Sequence, residues 1–268
     1  IADPIKATAL VLESNGEHVV FVSIDTVSIS EPLRDTVREQ LHEAGLDPQK
    51  VILNATHTHE APNNRLWPSG VVRNFDKEKE GFDPGYKPAE NYVKFAAARI
   101  AEAVSEAWQK RAPGGVAFGQ EYAVIGRNRR WVDTEGNSTM YGLNETTAER
   151  FDHIEGYEDH SLNILATYDA DKNLTGVIVN VPAPSQETEH LFEVSADYWC
   201  ETRQELRARF GEEIFILPQC SAAGDLTPHL IFDKPAHERM LQLRGRTGRQ
   251  EVATRIADAI GRVLPYLP

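Results

Sequence analysis

Asn15-Gly16 stands between two apolar, β-rich runs, Ala7–Glu13 and His18–Asp25. An Asn-Gly pair in that setting favours the tight positive-φ turn of a hairpin, so the two runs should pair antiparallel. A wholly parallel sheet is thereby disfavoured, because parallel neighbours need a crossover rather than a two-residue turn. The second run, VVFVSID, is apolar nearly throughout and has the character of an inner strand.

The rest of the chain interleaves hairpins with helices. Ser30 or the loop before it starts a helix through Ala44, with Pro32 in its first turn and Gly45 just past its end. Val51–Ala55 is the next strand. Pro88 opens a helix to about Lys110, in which Tyr92, Ala96, Ile100, Ala103, Ala107 and Trp108 recur at helical spacing. Val116–Ile125 is a strand, and Ser161–Tyr168 with Leu174–Val181 form a second hairpin. Ser195 serves as N-cap of a helix to Phe210, closed by Gly211. Ile214–Leu217 is a short buried strand, and Ala236–Leu264 is a last helical stretch weakened around Gly245 and Gly248. Residues 56–87 and 132–158 are long irregular stretches, of the kind that usually carry function. The expected fold is α/β, a mixed sheet with β-hairpins and about four helices, with catalytic loops at strand ends. It is expected as one domain over residues 1–268, either a fragment truncated at both ends or a divergent form.

Composition narrows the partners. The chain carries 28 Lys and Arg against 41 Asp and Glu, a net charge of −13. Phosphate backbones demand clustered cations, so nucleic acid is not an expected partner. No run of 18 apolar residues offers a transmembrane segment. The two cysteines, Cys200 and Cys220, cannot make a disulfide framework.

Four loops leaving predicted strands carry polar residues: His57-Thr58-His59, Arg127-Asn128-Arg129, Pro182–His190 and Ser221–His229. Should the strands share a sheet end, these loops meet. Two imidazoles two residues apart point the same way on extended backbone, which suits a metal or a ligand beside a proton carrier. The same pair also serves to hold a loop by hydrogen bonds. Gly224-Asp225-Leu226-Thr227-Pro228 allows a sharp turn after the Ile214–Leu217 strand. In it Asp225 is placed to hold the turn, and Thr227 to act as nucleophile or donor once a base or metal lies beside it. Arg127, Arg129 and Arg130 in an acidic chain can grip a carboxylate, a sulfate or sugar hydroxyls, or can salt-bridge to the acidic 145–159 stretch. The Pro-Ala-Pro-Ser-Gln run is poorly suited to a ladder and lines something, with Glu187, Glu189 and His190 close behind it.

In their order these segments resemble the catalytic domain of neutral (non-lysosomal) ceramidases and their bacterial relatives. Thr56-His57-Thr58-His59 with Pro62 resembles the family's T-H-T-H-S-G-P, Asn128-Arg129 its N-R-S, Gly176–Asn180 the strand before its second metal-binding histidine, and Ala223–Pro228 its G-D-x-S-P. The resemblance implies a zinc enzyme that hydrolyses an amide or ester with a metal-bound water. On it, His57 matches a zinc ligand, His59 that ligand's polar neighbour, and Thr227 a serine of the active site. The chain departs from the pattern after Asn180, where Val181-Pro-Ala-Pro-Ser-Gln186 holds no histidine before His190.

The expected site thus comprises His59, Thr227, Asp225 and Arg129 as catalytic residues, and His57, His59 and His190 as ligands of zinc. Asn128, Arg127, Ser185, Gln186 and His229 are expected against a small-molecule, lipid or glycan substrate. A metal-independent carbohydrate-active hydrolase or lyase, or a non-catalytic glycan-binding relative, is the alternative.

Overall fold

The structure, a computed structural model, describes residues 1–65, 89–141, 144, 146–189 and 191–267. The expected first hairpin is β1 (Ala7–Ser14) and β2 (Glu17–Ile24), which pair antiparallel from Ala7↔Ile24 to Ser14↔Glu17. Asn15 and Gly16 both take positive φ at its turn, 52° and 78°, as the residue types require. Helix α1 (Glu31–Glu43), capped by the Ser30 hydroxyl, crosses to β3 (Val51–Ala55), which runs parallel to β2. Helix α2 (Ala89–Gln109) packs beside α1 over this three-stranded sheet. Its fully buried residues are Val93, Ala97, Ile100 and Val104, so the core face is turned by about one position from the expected stripe. Long helical side chains lean back over the preceding turn, and a stripe read from spacing drifts accordingly.

A second sheet has the order β11-β10-β9-β4, built from β4 (Gly114–Tyr122), β9 (Ser161–Asp169), β10 (Leu174–Val181) and β11 (Phe215–Cys220). Only the β10–β11 pair in it is parallel, so the sheets are mixed, as expected. Helix α3 (Tyr198–Phe210) provides the crossover between them. Its N-cap is Asp197, not Ser195: the Asp197 carboxylate accepts from Tyr198 N at 2.6 Å, while Ser195 binds Asp3 and Arg249. The last helical stretch is two helices, α4 (Lys234–Arg244) and α5 (Gly248–Val263), because Gly245 takes the left-handed conformation at the C-cap of the first. Helices α3 and α5 pack together, and α5 covers β4 and β9 around a core that includes Leu162, Ile164, Trp199 and Ile260.

Residues 132–158 are not irregular throughout. They complete a three-stranded antiparallel sheet, β7-β6-β8, from β6 (Arg130–Asp133), β7 (Ser138–Met140) and β8 (Phe151–Ile154). A two-residue ladder joins β5 (Arg127–Asn128) to β12 (Leu226–Thr227). Strand β11 lies against all three strands of the first sheet. The ends of β3, β10 and β11 therefore come together. Among the described residues no helix is long and apolar enough to cross a membrane.

Candidate functional site

The first wall of the site is the chain leaving β3. Thr56 N donates to Ile24 O and His57 N to Thr26 O, both at 3.0 Å, so the turn is sewn to the end of β2. Thr56 and Thr58 are buried, and the Thr58 hydroxyl donates to Ser195 O at 2.9 Å. The two threonines face inward, and the alternating histidines are left toward the open side. His57 does not keep the extended backbone expected of it. Its φ is 64°, a left-handed conformation uncommon for a side chain of this size. The rings of His57 and His59 consequently meet edge to face, with centroids 5.1 Å apart. The His57 ring donates to the Val27 carbonyl.

The loop after β10 forms the second wall. Ser185 donates to Thr56 O through both its amide and its hydroxyl, the latter at 2.9 Å, and is fully buried. Arg129 Nη1 donates to Gln186 Oε1 at 3.2 Å, which turns the Gln186 amide nitrogen toward His59 and toward Glu189 Oε2 at 3.1 Å. Glu189 Oε2 lies 3.2 Å from His59 Nδ1, and Glu189 Oε1 lies 3.7 Å from His229 Nε2. The Gln186 amide nitrogen lies 3.1 Å from His59 Nε2 and 3.3 Å from Nδ1, so both ring nitrogens face it beside the Glu189 carboxylate. Both His57 and His59 are held below the usual imidazole range, chiefly by burial. For His59 the charges of His57 and Arg129 act in the same direction and that of Glu189 opposes them. These are neutral imidazoles at pH 7, fit to accept a proton or to bind a metal.

The third and fourth loops meet through the β5–β12 ladder, which pairs Leu226 with Asn128 and Thr227 with Arg127. Asn128 is buried and fully engaged: its amide donates to Glu158 Oε1 and its side chain bonds Asp225 Oδ2 and Arg130 N. Asp225 also receives Arg129 N on its carbonyl at 2.8 Å, so it anchors the arginine segment. Arg127 pairs with Glu158 and Arg130 with Glu155, the salt bridging anticipated for this cluster, but Arg129 takes part in neither. Thr227 is fully buried, and its hydroxyl lies 3.4 Å from His229 N.

The structure thus gathers His57, His59, Arg129, Gln186 and His229 into one cluster of side chains, with Glu189 between His59 and His229. Asn128, Asp225, Ser185 and Thr227 stand behind these residues as their supports. His190 lies outside the described residues. The sequence reading missed Tyr141, whose hydroxyl accepts from Arg129 Nη1 at 3.0 Å and whose ring lies 5.4 Å from the guanidinium. One aromatic in a polar stretch gave no signal for that contact.

The described donors alone do not fit a zinc centre. Among the described residues no group of three or more His, Cys, Asp and Glu side chains is arranged to hold a metal ion. Arg129 moreover sets a positive charge against both His57 and His59, where it opposes a second cation.

No protein-family model and no curated protein matches the chain. Among the solved structures that share its fold are a ceramidase complexed with C2 and the neutral ceramidase from Pseudomonas aeruginosa. Each superposes with a TM-score of 0.67 at 20% sequence identity over 97% of this chain. The chain spans only 38% and 39% of their respective lengths. The fold implied by the order of the four segments is therefore the fold found, and at this identity the likeness concerns the fold alone.

Proposed function

We propose that the chain is the catalytic part of a hydrolase that cleaves an amide or ester bond with a water molecule activated by His59. One observation carries the reading: Glu189 Oε2 stands 3.2 Å from Nδ1 of an imidazole that burial keeps neutral. In this reading the carboxylate holds the ring in the tautomer whose Nε2 accepts a proton, the Gln186 amide 3.1 Å from that nitrogen gives way to the attacking water, and the carboxylate stabilises the imidazolium that results. His59 then passes that proton to the leaving group. Gln186 and His229 line the substrate on either side of the pair, and Arg129 supplies positive charge to it. Thr227, with no exposed surface, holds the His229 backbone and does not itself attack. The ceramidase-like fold supports a hydrolase scaffold.

The test is a panel of N-acyl and ester substrates with and without chelator, run on the native chain and on His59→Ala. Full activity in that variant removes the proposal. A zinc ion held by His57, His59 and His190 is the second reading. It is favoured by the bond from the His57 ring to the Val27 carbonyl, the way ligating imidazoles are commonly oriented. It predicts stoichiometric zinc in purified protein, lost in His57→Ala. Metal-free protein with full activity rules it out.

A further inference from the structure

The three neighbouring arginines have different electrostatic fates. Arg127 and Arg130 each face a glutamate, whereas every partner of Arg129 is an uncharged oxygen. Nε and Nη2 both donate to Gly224 O, at 3.2 and 2.8 Å, and Nη1 donates to Tyr141 Oη and Gln186 Oε1. A guanidinium has five N–H groups, so one N–H on Nη2 is unused among the described residues. The Tyr141 hydroxyl accepts from Arg129 and has no acceptor for its own proton among the described residues. Two donors therefore stand side by side, one on a full positive charge that has no counter-ion among the described residues.

The arrangement is held at both ends. Arg129 N donates to Asp225 O at 2.8 Å, and Tyr141 N donates to Arg129 O at 3.0 Å. The main chains of the two residues are thereby locked together, and neither side chain is free to seek a distant acid. Both are only partly buried, so a solute can reach them. Among the described residues Arg129 faces no carboxylate, and its place beside the proposed base marks it as a recognition element.

We propose that the substrate carries a carboxylate or sulfate group that docks on Arg129 and Tyr141, an inference that rests on the side-chain cluster around His59 being the substrate site. The anion takes the unused Nη2–H and the Tyr141 O–H, and Gln186 lies between it and His59. This orients an acidic substrate, such as an acidic sugar derivative, with its scissile bond toward His59.

Binding is measured by calorimetry with three probes on the purified chain: glucuronate, its neutral isostere glucuronamide, and glucose 6-sulfate. The expected result is that an anionic probe binds at least about tenfold more tightly than glucuronamide, since hydrogen bonds to charged groups are the strong ones. Preference for glucuronate assigns a carboxylate, and preference for glucose 6-sulfate a sulfate. Arg129→Gln should abolish the preference, and Tyr141→Phe should reduce it several-fold with the fold intact by circular dichroism. Equal binding of glucuronamide, no binding of any probe, or an anion preference that survives in Arg129→Gln overturns the proposal. Binding with this preference but without turnover of any acyl or glycosidic substrate sinks the hydrolase reading and leaves the anion site standing.

Discussion

Glu189 Oε2 lies 3.2 Å from His59 Nδ1, although 130 positions of sequence separate the two loops. The contact depends on Ser185, which ties its own loop to Thr56 O. Glu189→Gln keeps the shape of the side chain and removes its charge. The imidazolium then loses its counter-ion, and turnover should fall by roughly 10²-fold or more, the usual contribution of a positioned base. KM should change far less, because the charge matters most when the proton moves. Steady-state kinetics on the best substrate of the panel decides it, and a loss below about threefold would remove Glu189 from the mechanism.

The pH dependence follows from the same neighbours. His59 works as a base only when neutral, and burial holds its pKa below the ordinary 6.5. Activity should therefore be level at neutral pH and fall along an acid limb that lies below that value. Arg129→Gln removes a positive charge that disfavours the imidazolium, so the limb moves to higher pH. Glu189→Gln removes a negative charge that favours it, so the limb moves to lower pH. The ring proton of His59, followed by NMR titration, reports both shifts without any substrate. Shifts of the same sign in the two variants would contradict the arrangement.

The meeting of the four loops was legible because several strands announce their own ends. Val51-Ile52-Leu53 is apolar, and polar residues dominate from Thr56, where the backbone leaves the sheet. The hairpin at Asn15-Gly16 was equally plain, since its turn needs two positive φ angles that these residues supply. The left-handed backbone of His57 was not legible. Histidine carries no preference strong enough to betray it, and the conformation goes with tertiary hydrogen bonds that His57 donates to Thr26 and Val27. The β7-β6-β8 sheet was hidden for another reason. Strand β7 is exposed along its whole length, so no alternation marks it in the sequence. The separation of Arg129 from Arg127 and Arg130 depends on where Glu155 and Glu158 fall in space, which spacing along the chain does not encode.

The turn that carries His57 is braced from below by a buried ion pair. Arg203 of α3 holds both oxygens of Asp25, at 2.8 and 3.0 Å, and both side chains are almost wholly removed from water. Asp25 directly precedes Thr26, whose carbonyl receives His57 N. Arg203→Met leaves a buried carboxylate without its partner and should cost about 3–5 kcal/mol, the usual penalty for breaking such a pair. For a chain of this size that is a fall in Tm of roughly 6–20 °C. Replacing both partners, Asp25→Leu with Arg203→Met, should recover part of the loss, because the orphaned charge is gone. Thermal unfolding of the three proteins checks the order, and a double variant less stable than Arg203→Met would refute it.

Glu187 gives the chain a second pH dependence, in stability and not in activity. Burial pushes its pKa from 4.5 up to about 7, with Asp197 adding to the rise and Arg255 opposing it. The sign follows from proton linkage. A carboxyl whose folded pKa is raised contributes stability that is complete below the unfolded value, and that contribution is lost as pH climbs through the folded value. The window is therefore from 4.5 to about 7. Across it the wild-type chain should lose up to about 3 kcal/mol relative to Glu187→Gln, which has nothing to ionise. The carboxyl also fills the space beside Gly248, where an added Cβ would lie 1.7 Å from Glu187 Oε1, so an isosteric amide is the right replacement. Denaturant unfolding should find the two proteins alike near pH 4.5 and the variant more stable at pH 8. Parallel stability curves across that range would show that Glu187 stays ionised in the folded chain.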